Sequence, residues 1–332
     1  IDMYSDFGIA EPKKPQSDNS PQYDASREGY YWNDHIMPEN NAVENFAFDK
    51  KKAEELLKAG FGVVNSHISD GIVRGTSSLI ALNNDASNSK RIITQKASQV
   101  LSFEKSNASR QAYPTSLMGA IALLRQMYYD AEWYQNGNAD GKDLSLEALN
   151  NNKSLPQIFV ANDKYNDIRA DKLGDEFKLN YIIKGGGNEF ERIEEITETN
   201  ASYIIPLDFP EAYDVTDPYI ANKIALEEML LWNQAPTNPK VLADNNITFA
   251  FTASDNKKTT DFKSNLLKAI AYGLDKTKAL EALTTTPATL LNKADEIGSL
   301  EKGHYANFLI TSGDIFEKET TLYENWVQGS KY

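Results

Sequence analysis

Cysteine is absent from this 332-residue chain, so disulfides, thiolate nucleophiles and Cys-ligated zinc are all excluded. That absence fits a periplasmic protein and a cytoplasmic one equally well. Histidine is nearly as scarce, with only His35, His67 and His304. Together with the lack of a Gly-x-Ser-x-Gly elbow, this argues against a Ser-His-Asp hydrolase. Positive charge is the minority sign: 34 Lys and Arg stand against 48 Asp and Glu, a net charge of −14 that repels phosphate backbones and anionic membrane surfaces. Neither nucleic acid nor a membrane is an expected partner. No apolar run approaches the ~18 to 20 residues that a membrane-crossing helix needs, and neither a solenoid-period repeat nor a sustained heptad is present.

What is there suits a folded α/β chain. A 41% hydrophobic content with 11% aromatics is enough to bury a substantial core, as one large domain with a small appendage. Short β-branched and aromatic runs read as strands at Ile1 to Tyr4, Phe61 to Asn65, Leu79 to Leu82, Ile158 to Val160, Tyr181 to Ile183, Tyr203 to Leu207 and Ile247 to Phe251. Segments of helical period lie between most of them: Lys50 to Lys58, Thr115 to Tyr134, Lys164 to Phe177, Glu189 to Glu198, Pro218 to Asn233 and Asp261 to Leu274. This alternation predicts βα units around a parallel sheet, with chemistry in the loops at one rim. Two stretches interrupt it. Ala10 to Gly29, rich in Pro, Ser, Asp and Asn, reads as a long exposed excursion, and Gln135 to Lys153 as a similar insertion. Residues 297–332 switch to short β segments, Asn307 to Thr311 and Leu322 to Val327, punctuated by Gly303, Gly313 and Gly329. The boundaries expected are a main domain over 1–296 and a small β appendage over 297–332.

Specific text sharpens this picture. The helix-to-turn-to-strand run Lys278 to Leu291, Ile297-Gly298-Ser299-Leu300-Glu301-Lys302-Gly303 and Ala306-Asn307-Phe308-Leu309 resembles the C-terminal signature of the amidohydrolase superfamily and its imidazolonepropionase-like members. Upstream, Ile1-Asp2-Met3-Tyr4-Ser5-Asp6 resembles a first barrel strand reading Ile-Asp-x-His-x-His, with the two His columns on Tyr4 and Asp6. Gly60 to Val64 and Gly71 to Gly75 are similar to second-strand and following-loop text. Ile158 to Ile168 is similar to a segment whose His-x-His falls on Ala161 and Asp163. Tyr181 to Glu189 resembles a strand whose His column falls on Gly186 or on Lys184, and Phe249 to Asp255 one whose Asp falls on Ser254 or on Asp255. The resemblance implies a TIM-like (β/α)8 metal-dependent hydrolase barrel with a small β-sandwich appendage supplied by the C-terminal segment.

The family's chemistry needs imidazoles and carboxylates at strand ends to hold divalent ions that activate water and polarise a carbonyl. With none of the three histidines in a metal column, a His-rich centre cannot be assembled, and no metal cofactor is expected. If any ion binds, Asp6, Asp163 and Asp255 are the candidate ligands, with Asp208 near another strand end, in an oxygen set suited to Mg, Ca or Mn. The same aspartates also suit ordinary turn and N-cap duty.

Retained chemistry falls on Lys184, His67 and Asp255 as catalytic candidates. Lys184, ahead of Gly185-Gly186-Gly187, could offer an amine nucleophile or help an N–H nest around Gly186 and Gly187 to hold an anion; three glycines also make a plain tight turn. His67 follows a strand and faces the rim, or packs under its loop. Arg74 in the next loop could clamp a carboxylate while Thr76 orients it. His35, in Tyr30-Tyr31-Trp32-Asn33-Asp34-His35, pins the excursion to the barrel, and His304 is a solvated turn residue.

Three functional readings follow. The preferred one is a catalytically degenerate amidohydrolase-like domain keeping a rim pocket for a small-molecule ligand, or pairing with an active domain. The alternative is a working hydrolase of non-peptide carbon–nitrogen bonds, in cyclic amides or dipeptide-like substrates, through an oxygen-ligated metal or Lys184 and His67. In the third, the excursion fills the pocket of a purely structural module. The start at Ile1 suggests a piece of a longer polypeptide whose other domains would be partners, and the acidic, Asn- and Tyr-rich, Cys-free composition favours export over the cytoplasm.

Overall fold

The computed structural model describes residues 1–10, 12–13, 27–139 and 141–332. The strands are β1 Asp2–Ser5, β2 Val63–Ser66, β3 Val73–Thr76, β4 Ser78–Ala81, β5 Ile92–Thr94, β6 Gln99–Ser102, β7 Gln157–Val160, β8 Tyr181–Lys184, β9 Ser202–Pro206, β10 Phe249–Thr252, β11 Phe308–Thr311, β12 Leu322–Val327 and β13 Ser330–Lys331. The helices are α1 Lys50–Lys58, α2 Asn88–Arg91, α3 Leu117–Gln135, α4 Leu144–Asn151, α5 Lys164–Phe177, α6 Ile193–Glu198, α7 Pro218–Ala221, α8 Leu226–Gln234, α9 Asn238–Asp244, α10 Asp261–Ala271, α11 Lys276–Leu283 and α12 Thr285–Leu290.

Strand periodicity explains how the core is divided. Alternate residues point to opposite faces, and one face of each of eight strands feeds a single interior cluster: Met3, Val63, Leu79, Val100, Ile158, Ile182, Ile204 and Ala250. The intervening residues, among them Val64, Ile80, Leu101, Phe159, Ile183, Tyr203 and Phe251, face the helices in a second cluster. The result is a mixed α/β, barrel-like arrangement. Its hydrogen-bonded ladders nevertheless form two sheets, β1-β2-β4-β5 and β10-β9-β8-β7-β6-β3. No ladder joins β10 to β1 among the described residues. There the Thr252 hydroxyl lies 2.7 Å from both Asp2 Oδ1 and the Tyr4 carbonyl.

The expected all-parallel sheet requires correction. β6 to β10 pair parallel, in order, whereas β3 runs antiparallel to β6, and β4 antiparallel to both β2 and β5. Connection length decides this. A parallel return needs a crossover of roughly a dozen residues or more, and only residues 67–72 separate β2 from β3. β3 and β4 follow each other across Ser77, whose N–H and carbonyl bond to Ser98 O and Ala97 N at 2.9 Å each, so one extended stretch serves both sheets.

Helices form where caps and apolar spacing coincide. Asp163 accepts from Tyr165 N and Asn166 N to start α5, and Asp49 accepts from Lys51 N and Lys52 N to start α1. The helix expected over Glu189 to Glu198 opens as a tighter 3-10 turn at Glu189–Arg192. The one expected over Pro218 to Asn233 divides into α7 and α8, where the Glu228 carboxylate accepts the Ala225 N–H at 2.9 Å and starts a new helix. The insertion expected at 135–153 holds α4, capped by Asp143, with Ser145, Leu146 and Leu149 buried. Most of the excursion expected at 10–29 lies outside the described residues.

The C-terminal appendage is one three-stranded antiparallel sheet, β11-β12-β13. The expected sandwich is not seen, since no second sheet stacks on it among the described residues. It is fastened through Asn325, 3% exposed, whose Nδ2 donates to the carbonyls of Leu57 and Phe61 at 2.9 and 3.0 Å. An apolar cavity of about 400 Å³, lined in part by Ile1, Gly62, Phe262, Leu283, Phe308 and Trp326, lies between this sheet and the strand starts. Asn325→Ala should leave the Phe61 carbonyl without its donor, the Leu57 carbonyl keeping the Gly60 N–H, and lower unfolding free energy by about 1 to 2 kcal/mol in a urea titration. An unchanged midpoint would mean that the other contacts of the sheet hold it without Asn325.

Candidate functional site

The C-terminal ends of β1, β2, β7, β8 and β10 meet at one rim, and their sequence decides what stands there. Lys184, the last residue of β8, is 2% exposed. Its carbonyl receives the N–H groups of both Ala161 and Asn162, at 3.0 and 3.2 Å, which folds the end of β7 over β8 and sets Asn162 beside the lysine. Asn162 takes the left-handed φ of 65° that this turn demands. Gly186 allows the loops to close in, because a Cβ there would lie 2.2 Å from the Asn162 carbonyl oxygen.

The Lys184 ammonium donates to Asn162 Oδ1 at 2.8 Å and pairs with the Asp255 carboxylate beyond β10. It also lies 5.6 Å from the centre of the Tyr4 ring, where the ring's negative face favours a cation. The Tyr4 ring also packs against His67, with centroids 4.1 Å apart. The Tyr4 hydroxyl accepts from Arg74 Nη1 at 3.0 Å. Arg74 reaches this rim because β3 runs backwards, which places the start of that strand beside the ends of the parallel ones. Its Nε donates to Gly71 O at 3.1 Å, and its Nη2 faces Glu104 Oε2 at 3.4 Å. Glu104 Oε1 receives Asn162 Nδ2 at 3.5 Å, so a chain of polar contacts runs Asp255, Lys184, Asn162, Glu104, Arg74, Tyr4.

Burial tunes these groups. Desolvation, reinforced by the cations of Arg74 and Lys184, pushes His67 down to about 3, against the weaker pull of the hydrogen bond linking it to Ser5. Its imidazole is therefore neutral. Desolvation likewise raises Asp2 to about 6, opposed first by the Thr252 hydroxyl. Beneath Gly185, buried Asp167 is pushed well above the usual carboxylate range by its burial and then by Glu189 and Asp163.

Of the residues singled out by sequence, Lys184, Asp255, His67 and Arg74 converge. The others stand apart. Thr76 lies within β3 rather than a loop, and its hydroxyl donates to Asn41 Oδ1 at 2.8 Å, away from the rim. Two of the three loop N–H groups are engaged within the protein: Gly185 N donates to Ile204 O at 3.0 Å and Gly187 N to Glu189 Oε1 at 2.9 Å. Asp6 pairs with Lys52 at 2.6 Å, and Asp163 caps α5. Asp208 is raised by burial and by the nearby Asp255 charge. His35 is fully buried, accepting Ser106 N at 3.0 Å on Nδ1 with Nε2 3.1 Å from Gln111 O. His304 Nδ1 lies 3.0 Å from the Ser299 hydroxyl. Sequence reading did not single out Asn162 or Glu104 as site residues; the one available signal was an Asn two residues past a strand, a residue type that tolerates left-handed backbone.

Residues 189–331 match the model of the amidohydrolase family. None of the curated proteins compared with the sequence matches it. Among solved structures, an amidohydrolase from Thermotoga maritima MSB8 superposes with a TM-score of 0.74 at 19% identity, covering 99% of this chain and 85% of that one. The two share a fold. A prolidase complexed with N-methylphosphonate-L-proline (TM-score 0.40, 16% identity) and the A. niger ochratoxinase (0.39, 15%) each align with 57% of this chain, which spans 47% and 44% of their respective lengths.

That fold family implies a divalent metal, and the residues here do not fit one. The aspartates that the resemblance offers as ligands, Asp6, Asp163 and Asp255, are engaged by Lys52, the α5 N-terminus and Lys184, and a buried ammonium already stands among them. Among the described residues no group of three or more His, Cys, Asp or Glu side chains is placed to hold an ion.

The depressed value of His67 has a measurable consequence. Between about 3 and 6.5 the unfolded chain binds a proton at this imidazole that the folded chain refuses, so its contribution to stability is present above 6.5 and is lost as pH falls towards 3. His67→Gln removes that penalty. Urea titrations from about pH 7 down to about pH 4 should show the variant gaining stability relative to the native chain at each step. A pH-independent difference would mean that the folded state accommodates the imidazolium.

Proposed function

We propose that this chain is an amidohydrolase-fold domain that has given up metal-assisted hydrolysis and uses its rim site to bind a small molecule, in the setting of a longer, exported polypeptide whose other domains it pairs with. The observation that carries the reading is the Lys184 ammonium. It is buried between Asp255, Asn162 and the face of Tyr4, and so stands among positions onto which the resemblance places ligands: Tyr4 and, by one of two alignments each, Lys184 and Asp255. A fixed protein-borne cation there satisfies Asp255 and repels a second cation, and the neighbouring imidazole is set against Tyr4 rather than turned to a ligand cluster.

Metal analysis tests this directly. Protein prepared without chelators and titrated calorimetrically with zinc and with manganese should show no stoichiometric binding, because ligands must be free and convergent before an ion is held. One equivalent of tightly bound metal would overturn the proposal and favour an active hydrolase of carbon–nitrogen bonds.

The ion pair itself makes a second prediction. Asp255→Asn leaves the Lys184 side chain, 3% exposed, without its counter-charge, and Asp255 is itself 38% exposed. The loss should therefore fall below that of a fully buried pair, at about 1 to 3 kcal/mol. Adding Lys184→Met, which removes the stranded charge, should recover most of it in the same denaturant assay. A double variant no more stable than Asp255→Asn would show that the ammonium is not desolvated as described.

A further inference from the structure

Arg74 and Glu104 form an unequal pair. The arginine side chain is 3% exposed and fixed through Nε on Gly71 O and Nη1 on Tyr4 OH, whereas the glutamate side chain is 66% exposed. Glu104 spans two donors, Arg74 Nη2 at 3.4 Å and Asn162 Nδ2 at 3.5 Å. Charge-assisted bonds between guanidinium and carboxylate usually settle near ~2.7 to 2.9 Å, so this carboxylate is loosely seated in front of a rigid, buried cation. Among the described residues the carboxylate paired with this guanidinium is Glu104, distant and exposed, so the buried cation is short of anionic compensation. The Asn162 donor is itself held in place, because its other side-chain atom receives the Lys184 ammonium at 2.8 Å.

Resting on the rim-site reading above, we propose that Arg74 Nη2 and Asn162 Nδ2 form the anion-binding end of that site, that its ligand is a small carboxylate-bearing molecule, and that Glu104 is a built-in occupant displaced when the ligand's carboxylate enters. The two oxygens of Glu104 mark where the ligand's two oxygens go. Fixed donors on the protein side and an exposed, weakly held acceptor on the solvent side are what such an exchange requires: the incoming carboxylate replaces an interaction of the same kind, and the released Glu104 returns to water. The Tyr4 hydroxyl, bonded to the same guanidinium, and the Lys184–Asp255 pair behind Asn162 then border the remainder of the ligand.

Acetate serves as the probe, and acetamide as its uncharged match, in calorimetric or NMR titrations of the intact chain. Glu104→Gln keeps the side chain's shape but removes the competing charge, so it should bind acetate about tenfold more tightly than the native chain, a difference of about 1.4 kcal/mol, with acetamide affinity unchanged. Adding Arg74→Lys, which preserves the charge needed for folding but not the planar fork, should abolish the gain. The proposal is overturned if Glu104→Gln leaves acetate affinity unchanged, or if acetamide gains as much as acetate, since an uncovered surface rather than an anion site would then be responsible. The metal titration is independent: metal binding with acetate discrimination intact would sink the metal-free reading alone, and the converse would sink only this one.

Discussion

A lysine ammonium at the mouth of a barrel-like sheet, almost wholly removed from water, has to be compensated by what surrounds it, and the rim is organised around that need. Asp255 supplies the opposite charge, Asn162 an amide oxygen and Tyr4 the face of a ring. Each comes from a different strand end, so the ion pair also ties β1, β7, β8 and β10 together at the level where side chains stop being apolar. This matters most between β1 and β10, where no backbone ladder continues among the described residues and the Thr252 hydroxyl, set against Asp2 and the Tyr4 carbonyl, adds a further polar tie. Below that level, the eight strands are united by one interior cluster of aliphatic side chains.

The reversal of the β3–β4 stretch has a chemical consequence. Had β3 run with its neighbours, Arg74 near its start would sit at the opposite end of the sheet; running backwards, it delivers a guanidinium to the rim. The rim thus holds two buried cations, Lys184 and Arg74, each facing a more exposed carboxylate, Asp255 and Glu104. An imidazole held neutral by its burial, with help from those same cations, completes the group. Each cation has a carboxylate partner within the protein, close at Lys184 and loose at Arg74, whereas the carboxylates and imidazoles of a metal cage converge on a point left for the ion.

Much of the architecture was legible because strand and helix periods are local. β7 to β10, α1 and α5 lie close to where the apolar spacing and caps put them. Elements that escaped did so for physical reasons. β3 and β6, reading Val-Arg-Gly-Thr and Gln-Val-Leu-Ser, are buried along their whole length yet carry polar residues bonded to distant partners such as Tyr4, Asn41 and Asn152, and no short-range pattern announces that. The α4 stretch sits among Asn, Gly and Asp residues that mask its few leucines. At the site, Lys184, Asp255, His67 and Arg74 could be singled out because chemistry-bearing residues at strand ends face one rim, whereas Glu104, past the end of β6, gains meaning only from Arg74 and Asn162, thirty and fifty-eight positions away.

The sequence by itself determined the βα rhythm, the amidohydrolase-like C-terminal run, and the scarcity of the imidazoles and thiolates that zinc prefers. These are matters of composition and short-range order. Tertiary structure alone decided that the β3–β4 stretch is reversed, that the appendage is a single sheet, that the candidate aspartates serve Lys52, a helix end and Lys184 instead of one another, and that Tyr4 separates two buried cations. Those outcomes depend on which strand ends meet and which charges are desolvated together, quantities that exist only once distant segments have been packed side by side.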